Sequence, residues 1–443
     1  MDRRSMHLHW QVIAFVLLAA LLGGWAVFSS GTADVAIASV VHKRPQDRPV
    51  VRTGIDRLID NGFRELLGKR VGLITNPTGV TADLKSTIDV LHEAPNVELA
   101  ALFGPEHGVR GDVFGGEKID DAVDPATGVP VFSLYGATRK PTPPMLEGLD
   151  VLVYDIQDIG SRSYTYISTM GAAMEAAAEA DIEFMVLDRP NPLTGLRIEG
   201  RPLDSRFASF VGQYPIPYVY GMTCGELALM INDQGWLADG ESCRLTVIAM
   251  DGWTRDMDFD ATGLPWVPTS PHIPTADTAL FYAATGIMGE LQVVSEGVGY
   301  TLPFKLAGAP FIRDAAAFAE ALNDRKLPGV TFRPMYFTPF YMDRIKGKPC
   351  GGVQIHLTDP AAADLTAIQF HVLDVVRRLY PEVELFGRGR DGMFDKVCGT
   401  DRIRRMFERG EPLPRILDYW NDDRAIFLRQ RARYLIYPEP SDR

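Results

Sequence analysis

Residues 151–160 read VLVYDIQDIG, an uninterrupted apolar run that ends in an acidic turn. A short run without alternation predicts a strand that is buried on both faces of a parallel sheet. Similar runs lie at 71–75, 97–103, 129–134, 184–187 and 245–250, and helical spacing is found at 82–93 and 166–180. Thr223 and Glu226 form a T-x-x-E capping box, which predicts a further helix start. The alternation of strands and helices predicts an α/β fold.

The sequence pattern changes after residue 264. Residues 264–274 (LPWVPTSPHIP) are too rich in proline for a helix or a central strand, so we place a domain boundary there. A long functional loop within one domain is the alternative. Helices are predicted at 314–323 and 361–380, strands at 330–340 and 352–357, and a solvated helical tail from 401 onward. The second half is therefore expected to form a smaller α+β domain.

The N-terminal segment predicts export. Arg3 and Arg4 precede an apolar stretch of about 17 residues, and 36–38 (AIA) offers a small-x-small cleavage site. Residues 1–38 are predicted to be a signal peptide, with an uncleaved membrane anchor as the alternative. Residues 39–53 are predicted to be a linker. It is expected to lead into a catalytic domain at 54–270, which is followed by a C-terminal domain at 275–443. Both interpretations place the folded part in a periplasmic or extracellular location.

The overall charge excludes some classes of partner. Lys and Arg number 45 against 57 Asp and Glu, which gives a net charge of −12. This charge argues against nucleic acid or an anionic membrane surface as the main partner. Membrane attachment is expected only through the N-terminal segment.

The four cysteines are Cys224, Cys243, Cys350 and Cys398, and none has CxxC spacing. The spacing therefore indicates neither a zinc site nor a redox motif. In an oxidising compartment these residues could form disulfides or stay as buried thiols, and spacing does not decide between the two.

Polar loops follow four of the predicted strands. They read TNPTG at 75–79, GPEHGVRG at 104–111, DIQDIGSRSYTY at 155–166 and DRPNP at 188–192. Ligands bind beyond the carboxyl ends of the strands in an open parallel sheet. We therefore expect these loops to converge on one site.

Glu106 is the first candidate catalytic residue. It lies between Pro105 and Gly108, in a turn too tight for a solvated charged face. Glycoside cleavage uses two carboxyl groups, of which one protonates the leaving oxygen and the other is nucleophile or general base. The candidates for the second group are Glu117, Asp155 and Asp158. Sequence spacing gives no distance, so retention and inversion both stay open.

The other polar residues of these loops also have structural interpretations. Aspartates such as Asp155 and Asp188, directly after strands, often cap the next turn. The arginines of the loops, at 110, 162 and 189, can pair with these acids or hold a substrate carboxylate. His107 can act as a general base, but no HxxxH or HxH spacing supports a metal site. Tyr164 and Tyr166 can line a sugar or pack in the core.

Motifs of other enzyme classes are weak or missing. The sequence has no G-x-S-x-G elbow, no P-loop and no dinucleotide G-x-G-x-x-G after a strand. A serine-type esterase or amidase acting through Ser161 or Ser163 is one alternative function. A non-catalytic binding protein is another, although a binder of anions should not line its pocket with carboxylates.

Together, these loops resemble the NamZ exo-β-N-acetylmuramidases. The similar blocks are 75–79, 105–111, 154–162, 164–166 and 188–192, with 296–300 (EGVGY), 303–304 and 308–310 in the second half. The resemblance covers nearly the whole chain after Gly54. One departure is Gly297-Val298-Gly299-Tyr300, where the family often has Gly-Arg-Gly-Thr, and this departure bears on specificity.

The resemblance implies a Rossmann-like N-terminal domain, a smaller C-terminal domain and an active site in the cleft between them. It implies release of β-1,4-linked N-acetylmuramic acid from the non-reducing end of peptidoglycan fragments, with Glu106 as general acid/base. No cofactor is implied, because acid/base hydrolysis of an acetal needs none. The predicted substrate-binding residues are Asn76, His107, Arg110, Gln157, Arg162, Tyr164, Asp188, Arg189, Asn191 and Glu296.

Overall fold

A mostly parallel sheet organises the first half of the chain. The structure is a computed structural model that describes residues 50–111, 122–341, 344–387 and 389–439. The strands are β1 (Arg70–Thr75), β2 (Glu98–Gly104), β3 (Ala122–Val123), β4 (Pro130–Ser133), β5 (Val151–Asp155), β6 (Glu183–Leu187) and β7 (Arg244–Ile248). Their order is β3-β4-β2-β1-β5-β6-β7, and only the β3–β4 pair is antiparallel. The predicted α/β class is confirmed.

The strand order reverses between β1 and β5. From β1 the chain adds β2 and β4 on one side and then returns to place β5 on the other side. Thr75 pairs in register with Asp155, and Gly104 pairs with Ser133, so these strands end at the same edge of the sheet. Such a reversal point is where open α/β sheets bind ligands.

The helices of the first half cover both faces of this sheet, as the mostly buried strands require. They are α1 (Gly54–Asp60), α2 (Thr87–Glu93), α3 (Pro143–Leu146), α4 (Tyr166–Glu179) and α5 (Cys224–Asp233). The predicted capping box opens α5, because Thr223 accepts from the amide of Glu226 while the Glu226 carboxylate accepts from the amide of Thr223. Helix α2 begins five residues later than the pattern predicts, since the Ser86 side chain caps it and Leu84 has a positive φ of 66°.

A smaller antiparallel sheet organises the second half. Strands β8 (Leu306–Ala309), β9 (Val330–Phe337) and β10 (Cys350–Leu357) have the order β8-β10-β9. Helix α7 (Ala315–Asn323) packs on β9 and β10, and α8 (Leu365–Leu379) packs on α6 (Thr278–Gly289). The smaller α+β part is therefore as predicted. Both sheets belong to one compact unit, and the boundary at 264–274 stays a prediction.

The C-terminal region is helical, as predicted, but the expectation of a solvated tail is wrong. Its helices are α9 (Asp391–Cys398), α10 (Arg402–Glu408), α11 (Leu413–Trp420) and α12 (Arg424–Arg431). Ile416 and Trp420 of α11 are both fully buried and belong to the core of the second half. Their spacing of four residues places them on one helix face, and charged neighbours such as Arg415 and Asp418 obscured that face.

The four cysteines are buried free thiols, so the disulfide alternative does not hold in this structure. Within the described part of the chain, no helix combines the length and apolarity that a membrane crossing needs. The predicted signal peptide and most of the predicted linker lie at 1–49, outside the described residues.

Candidate active site

A cleft of about 370 Å³ lies where the loop after β2 meets the second half of the chain. The first half contributes Glu106, His107 and the segment 163–166 to its lining. The second half contributes mainly His272, Tyr282, Glu290, Glu296, Phe304, Tyr341 and Arg390. The volume suits one or two sugar rings, and three of the lining residues, Glu106, Glu290 and Glu296, carry carboxyl groups.

Two hydroxyl groups hold the carboxylate of Glu106 in this cleft. Thr165 Oγ1 donates to Glu106 Oε2 over 3.3 Å, and the side chain of Tyr135 also hydrogen bonds Glu106. Burial, together with the charge of Glu106, raises the pKa of Tyr135 to about 12, so its hydroxyl stays protonated and donates. The loop turns tightly, because the Gly108 amide bonds the Pro105 carbonyl over 3.0 Å. Tyr135 was missed from the sequence, although it follows β4 by two residues.

His107 shares the cleft with His272, which is far from it in sequence. His107 has a positive φ of 75°, which turns the chain sharply at this point. Burial lowers the pKa of His272, and the charge of His107 lowers it further. Tyr341 covers His272 with a ring separation of 5.2 Å. In the ranges that the structure describes, no group of three or more histidine, cysteine or acidic side chains could hold a metal ion.

Asp155 is buried beside Arg189 rather than in the cleft. Arg189 donates through Nε and Nη2 to the two carboxylate oxygens over 2.6 and 2.9 Å, and Thr87 donates over 2.5 Å. Both side chains of the ion pair are almost fully buried. The pair therefore joins the loops after β5 and β6 beneath the site.

Asp158 is also buried outside the cleft lining. Its Oδ2 accepts from the Tyr220 hydroxyl over 2.5 Å and from the Gly160 amide over 2.7 Å. Burial raises the pKa of Asp158 to about 6, against the opposing effect of these hydrogen bonds. The neighbouring Gln157 amide donates to the carbonyls of Asp158 and Pro190. These contacts fix the path of the loop that carries Tyr164.

Three more predicted substrate-binding residues hold backbone segments together. Asn76 Oδ1 accepts from the amide of Thr78 over 2.9 Å, and Asn191 Nδ2 donates to the Met222 carbonyl over the same distance. Asp188 accepts from the Thr223 and Tyr437 hydroxyls and the Gly225 amide, and burial raises its pKa to about 6. None of the three lines the cleft.

The predicted arginines Arg110 and Arg162 are likewise engaged elsewhere. Arg110 bonds both carboxylate oxygens of Asp124 over 2.9 and 3.0 Å. Arg162 is fully buried and donates to four backbone carbonyls, including Ile216 and Cys398, and burial lowers its pKa to about 10. With Arg189 paired to Asp155, each of these three arginines is engaged by other groups of the protein.

Tyr164 does line the cleft, and the serines beside it do not form a nucleophile–base pair. Tyr164 packs edge-on against Tyr166 and Tyr282 with ring separations of 4.9 and 5.7 Å. The Ser163 hydroxyl bonds the hydroxyls of Tyr218 and Tyr282, each at 3.0 Å, rather than a histidine. Ser161 is fully buried. This arrangement argues against the serine-type esterase or amidase.

Two acids and an arginine form the far wall of the cleft. Glu296 is 4% exposed, its Oε2 has no hydrogen-bond partner among the described residues, and burial raises its pKa to about 8. Arg390 donates to the Glu290 side chain over 2.9 Å. Glu296 was named from the resemblance, whereas Glu290 and Arg390 were missed because they lie in the less regular half. Glu117 lies outside the described residues.

A cleft with three carboxyl groups, beside the strand ends of a mostly parallel sheet, has the features expected of a glycoside hydrolase. The comparisons with known proteins give its family. Residues 71–277 match the N-terminal family model of exo-beta-N-acetylmuramidase NamZ, and 280–437 match the C-terminal one. The chain therefore belongs to the NamZ exo-β-N-acetylmuramidase family.

Known relatives cover nearly the whole length of the chain. The chain is 47% identical over 419 residues to the peptidoglycan beta-N-acetylmuramidase NamZ of Bacillus subtilis (strain 168), covering 94% of this chain and 99% of the relative. A crystal structure of a DUF1343 family protein from Bacteroides fragilis NCTC 9343 is similar, with a TM-score of 0.84 and 53% identity. The match covers 88% of this chain and 100% of that protein. The crystal structure of a second DUF1343 family protein from that organism has a TM-score of 0.69 and 32% identity, and the match covers 88% of this chain and 99% of that protein.

Proposed function

We propose that this protein is an exo-acting β-N-acetylmuramidase in which Glu106 is the general acid/base. The observation that carries the proposal is the position of Glu106, which lies in the cleft with Tyr135 and Thr165 holding its carboxylate. Its place just after β2 agrees with the rule that open α/β sheets act at strand ends. Family membership and the similarity to the Bacillus subtilis enzyme support the substrate class.

In the proposed reaction, the protonated Glu106 donates to the glycosidic oxygen as its bond to the muramyl carbon breaks. The positive charge that develops on the sugar ring requires a carboxylate on the other face, or water activated by one. With retention, the resulting Glu106 carboxylate accepts a proton from the water that hydrolyses the glycosyl–enzyme intermediate. With inversion, the second carboxylate accepts the proton of the attacking water, and Glu106 is reprotonated from solvent. A positioned acid/base group of this kind contributes about 10²–10⁴ in rate.

For the second carboxyl group we propose Glu117. Asp155 is neutralised by Arg189, and Asp158 is buried beneath the site, so we propose that both organise loops. Of the other acids in the cleft, Glu290 is paired with Arg390, and burial favours the neutral form of Glu296 because its pKa is raised to about 8. Glu117 lies outside the described residues, and its proposed role rests on the sequence and on the family resemblance.

Glu106→Gln and Glu117→Gln test these two roles. Each change is expected to lower kcat on a chromogenic β-N-acetylmuramide by at least about 100-fold. Glu147→Gln, at an exposed position beyond α3, is the matched control and should leave kcat unchanged. Near-full activity of the Glu106→Gln enzyme would exclude Glu106 as the catalyst, and near-full activity of Glu117→Gln would exclude only the second assignment.

The product pattern tests the substrate and the exo mode of action. On a defined glycan fragment with N-acetylmuramic acid at its non-reducing end, we expect this sugar to be the first product released. A fragment that ends in N-acetylglucosamine should resist attack. Binding of both fragments without any product over a long incubation would favour the non-catalytic muropeptide-binding protein instead.

We also propose that the protein acts outside the cytoplasm, because residues 1–38 have the pattern of a signal peptide. This location would bring it to peptidoglycan. The N-terminal sequence of the exported protein distinguishes cleavage near Ala38 from an uncleaved anchor. Retention of the full-length protein in the cytoplasmic fraction would contradict export.

A further inference from the structure

We propose, resting on the function proposed above, that Arg390 binds the lactyl carboxylate of the muramyl residue and so selects it over N-acetylglucosamine. The two sugars differ by this lactyl ether, which adds a negative charge. An enzyme that discriminates between them therefore gains most from a cation placed where the lactyl group lies.

Arg390 is the only arginine or lysine among the described residues that line the cleft. The arginines expected from the sequence to bind a substrate carboxylate are engaged by other groups. Arg162 donates to backbone carbonyls, and Arg189 is paired with Asp155. Arg110 is held by Asp124. Within the described part of the cleft, an anionic substrate thus meets one guanidinium.

The geometry leaves part of the Arg390 guanidinium available to a ligand. Its Nε donates to the backbone carbonyl of Glu290 over 3.0 Å, and Nη2 donates to the Glu290 carboxylate over 2.9 Å. A guanidinium has five N–H donors, so these two bonds leave about three for other acceptors. The Arg390 side chain is 33% exposed. Glu290 therefore fixes the orientation of the guanidinium without saturating it.

The surrounding charges permit an anion at this wall. Glu290 is the partner of Arg390, and the nearby Glu296 is 4% exposed with an Oε2 that lacks a hydrogen-bond partner among the described residues. Burial raises the pKa of Glu296 to about 8, so at pH 7 its carboxyl group is mostly neutral and can donate to an oxygen of the substrate. Arg390 and a neutral Glu296 together offer donors rather than a second negative charge.

The selectivity of Arg390→Met and Arg390→Lys tests the proposal. The substrates are a chromogenic β-N-acetylmuramide, the same compound with its lactyl carboxyl converted to an amide, and the β-N-acetylglucosaminide. We expect Arg390→Met to lower kcat/KM for the first about 10- to 100-fold, mainly through KM, and to change the two neutral substrates less than threefold. Arg390→Lys, which keeps the charge but loses the fork, should lose less.

Arg429→Met is the matched control, since Arg429 is exposed on α12. It should behave as the unmodified enzyme on all three substrates. Equal losses on charged and neutral substrates, or an unchanged preference for the muramide in both Arg390 variants, would overturn the proposal. Thermal melting shows whether each variant is folded, and Arg390→Lys serves as the test if Arg390→Met is not.

Binding of free N-acetylmuramic acid, measured by calorimetry, separates this proposal from the catalytic one. If the unmodified protein binds N-acetylmuramic acid more tightly than N-acetylglucosamine but cleaves neither glycoside, the hydrolase function fails while carboxylate recognition stands. If it cleaves the muramide and Arg390→Met binds the acid with unchanged affinity, the role of Arg390 fails while the hydrolase function stands.

Discussion

The hydroxyl of Tyr135 hydrogen bonds the carboxylate of Glu106, although the two residues follow different strands of the sheet. Gly104 at the end of β2 pairs with Ser133 at the end of β4, so the sheet register itself brings the two loops together. The proposed acid is therefore oriented by the neighbouring strand, and its position depends on the register of the sheet.

Replacing Tyr135 by phenylalanine removes this donor and keeps the ring. We expect kcat/KM on the muramide to fall about tenfold or more, since a hydrogen bond to a charged group is worth roughly 1.5–3 kcal/mol. The fall should be smaller than that for Glu106→Gln, because Thr165 still holds the carboxylate. Tyr336→Phe, at a 65% exposed tyrosine on β9, is the control. An unaffected Tyr135→Phe enzyme would show that the contact does not position Glu106.

Glu296 gives a prediction about stability and pH. Burial raises its pKa from an ordinary value of 4.5 to about 8, so the folded protein holds this proton at a pH where the unfolded chain has lost it. The contribution of this bound proton to the free energy of unfolding is therefore complete below about pH 4.5 and is lost as the pH rises through about 8. Asp158 and Asp188 also hold their protons to higher pH in the folded state.

Comparison with Glu296→Gln isolates the contribution of Glu296, because glutamine mimics the neutral acid at every pH. We expect the variant to melt at least about 2 °C above the unmodified protein at pH 8.5, which corresponds to about 2 kcal/mol in a protein of this size, and to show little difference at pH 4.5. Glu320→Gln, at an exposed position on α7, should show neither effect. A difference in melting temperature between Glu296→Gln and the unmodified protein that stays constant from pH 4.5 to 8.5 would contradict the raised pKa of Glu296.

The sequence was sufficient for six of the seven strands of the first sheet, because its central strands are buried on both faces, and the exposed two-residue strand β3 was not predicted. Apolar runs such as 151–155 need no knowledge of their partners, and the polar residues after them mark the strand ends. The capping box of Thr223 and Glu226 is local in the same sense. Glu106 could be selected for the same reason, since its tight turn lies within a few residues of β2.

Other features of the site depend on contacts that sequence spacing does not encode. Asp155 ends β5 and Arg189 lies in the loop after β6, and only the pairing of β5 with β6 brings them together. Arg390 and Glu290 are separated by most of the second half of the chain. A sequence pattern can nominate charged residues near strand ends, but it cannot say which of them neutralise one another and which face the cleft.

The pair of Asp155 and Arg189 is expected to affect stability more than chemistry. Asp155→Asn leaves the buried guanidinium of Arg189 without its counter-charge, and breaking a buried ion pair in this way costs about 3–5 kcal/mol. We expect urea unfolding to show this loss. The folded fraction should keep kcat within about tenfold, whereas a catalytic Asp155 would lose far more. Combining Asp155→Asn with Arg189→Met should restore part of the stability, because no unpaired charge remains.

The C-terminal helices supply the last prediction. Trp420 on α11 is fully buried, donates from Nε1 to Thr366 Oγ1 over 2.9 Å and packs against Phe370 at a ring separation of 5.1 Å, so α11 is anchored to α8. Trp420→Ala should therefore cost about 3–5 kcal/mol, the usual range for a buried large aromatic residue. Ile426→Ala, at a residue 54% exposed on the next helix, should cost about 0.5 kcal/mol or less. Similar small losses from both changes, measured by urea unfolding, would restore the interpretation of this region as a solvated tail.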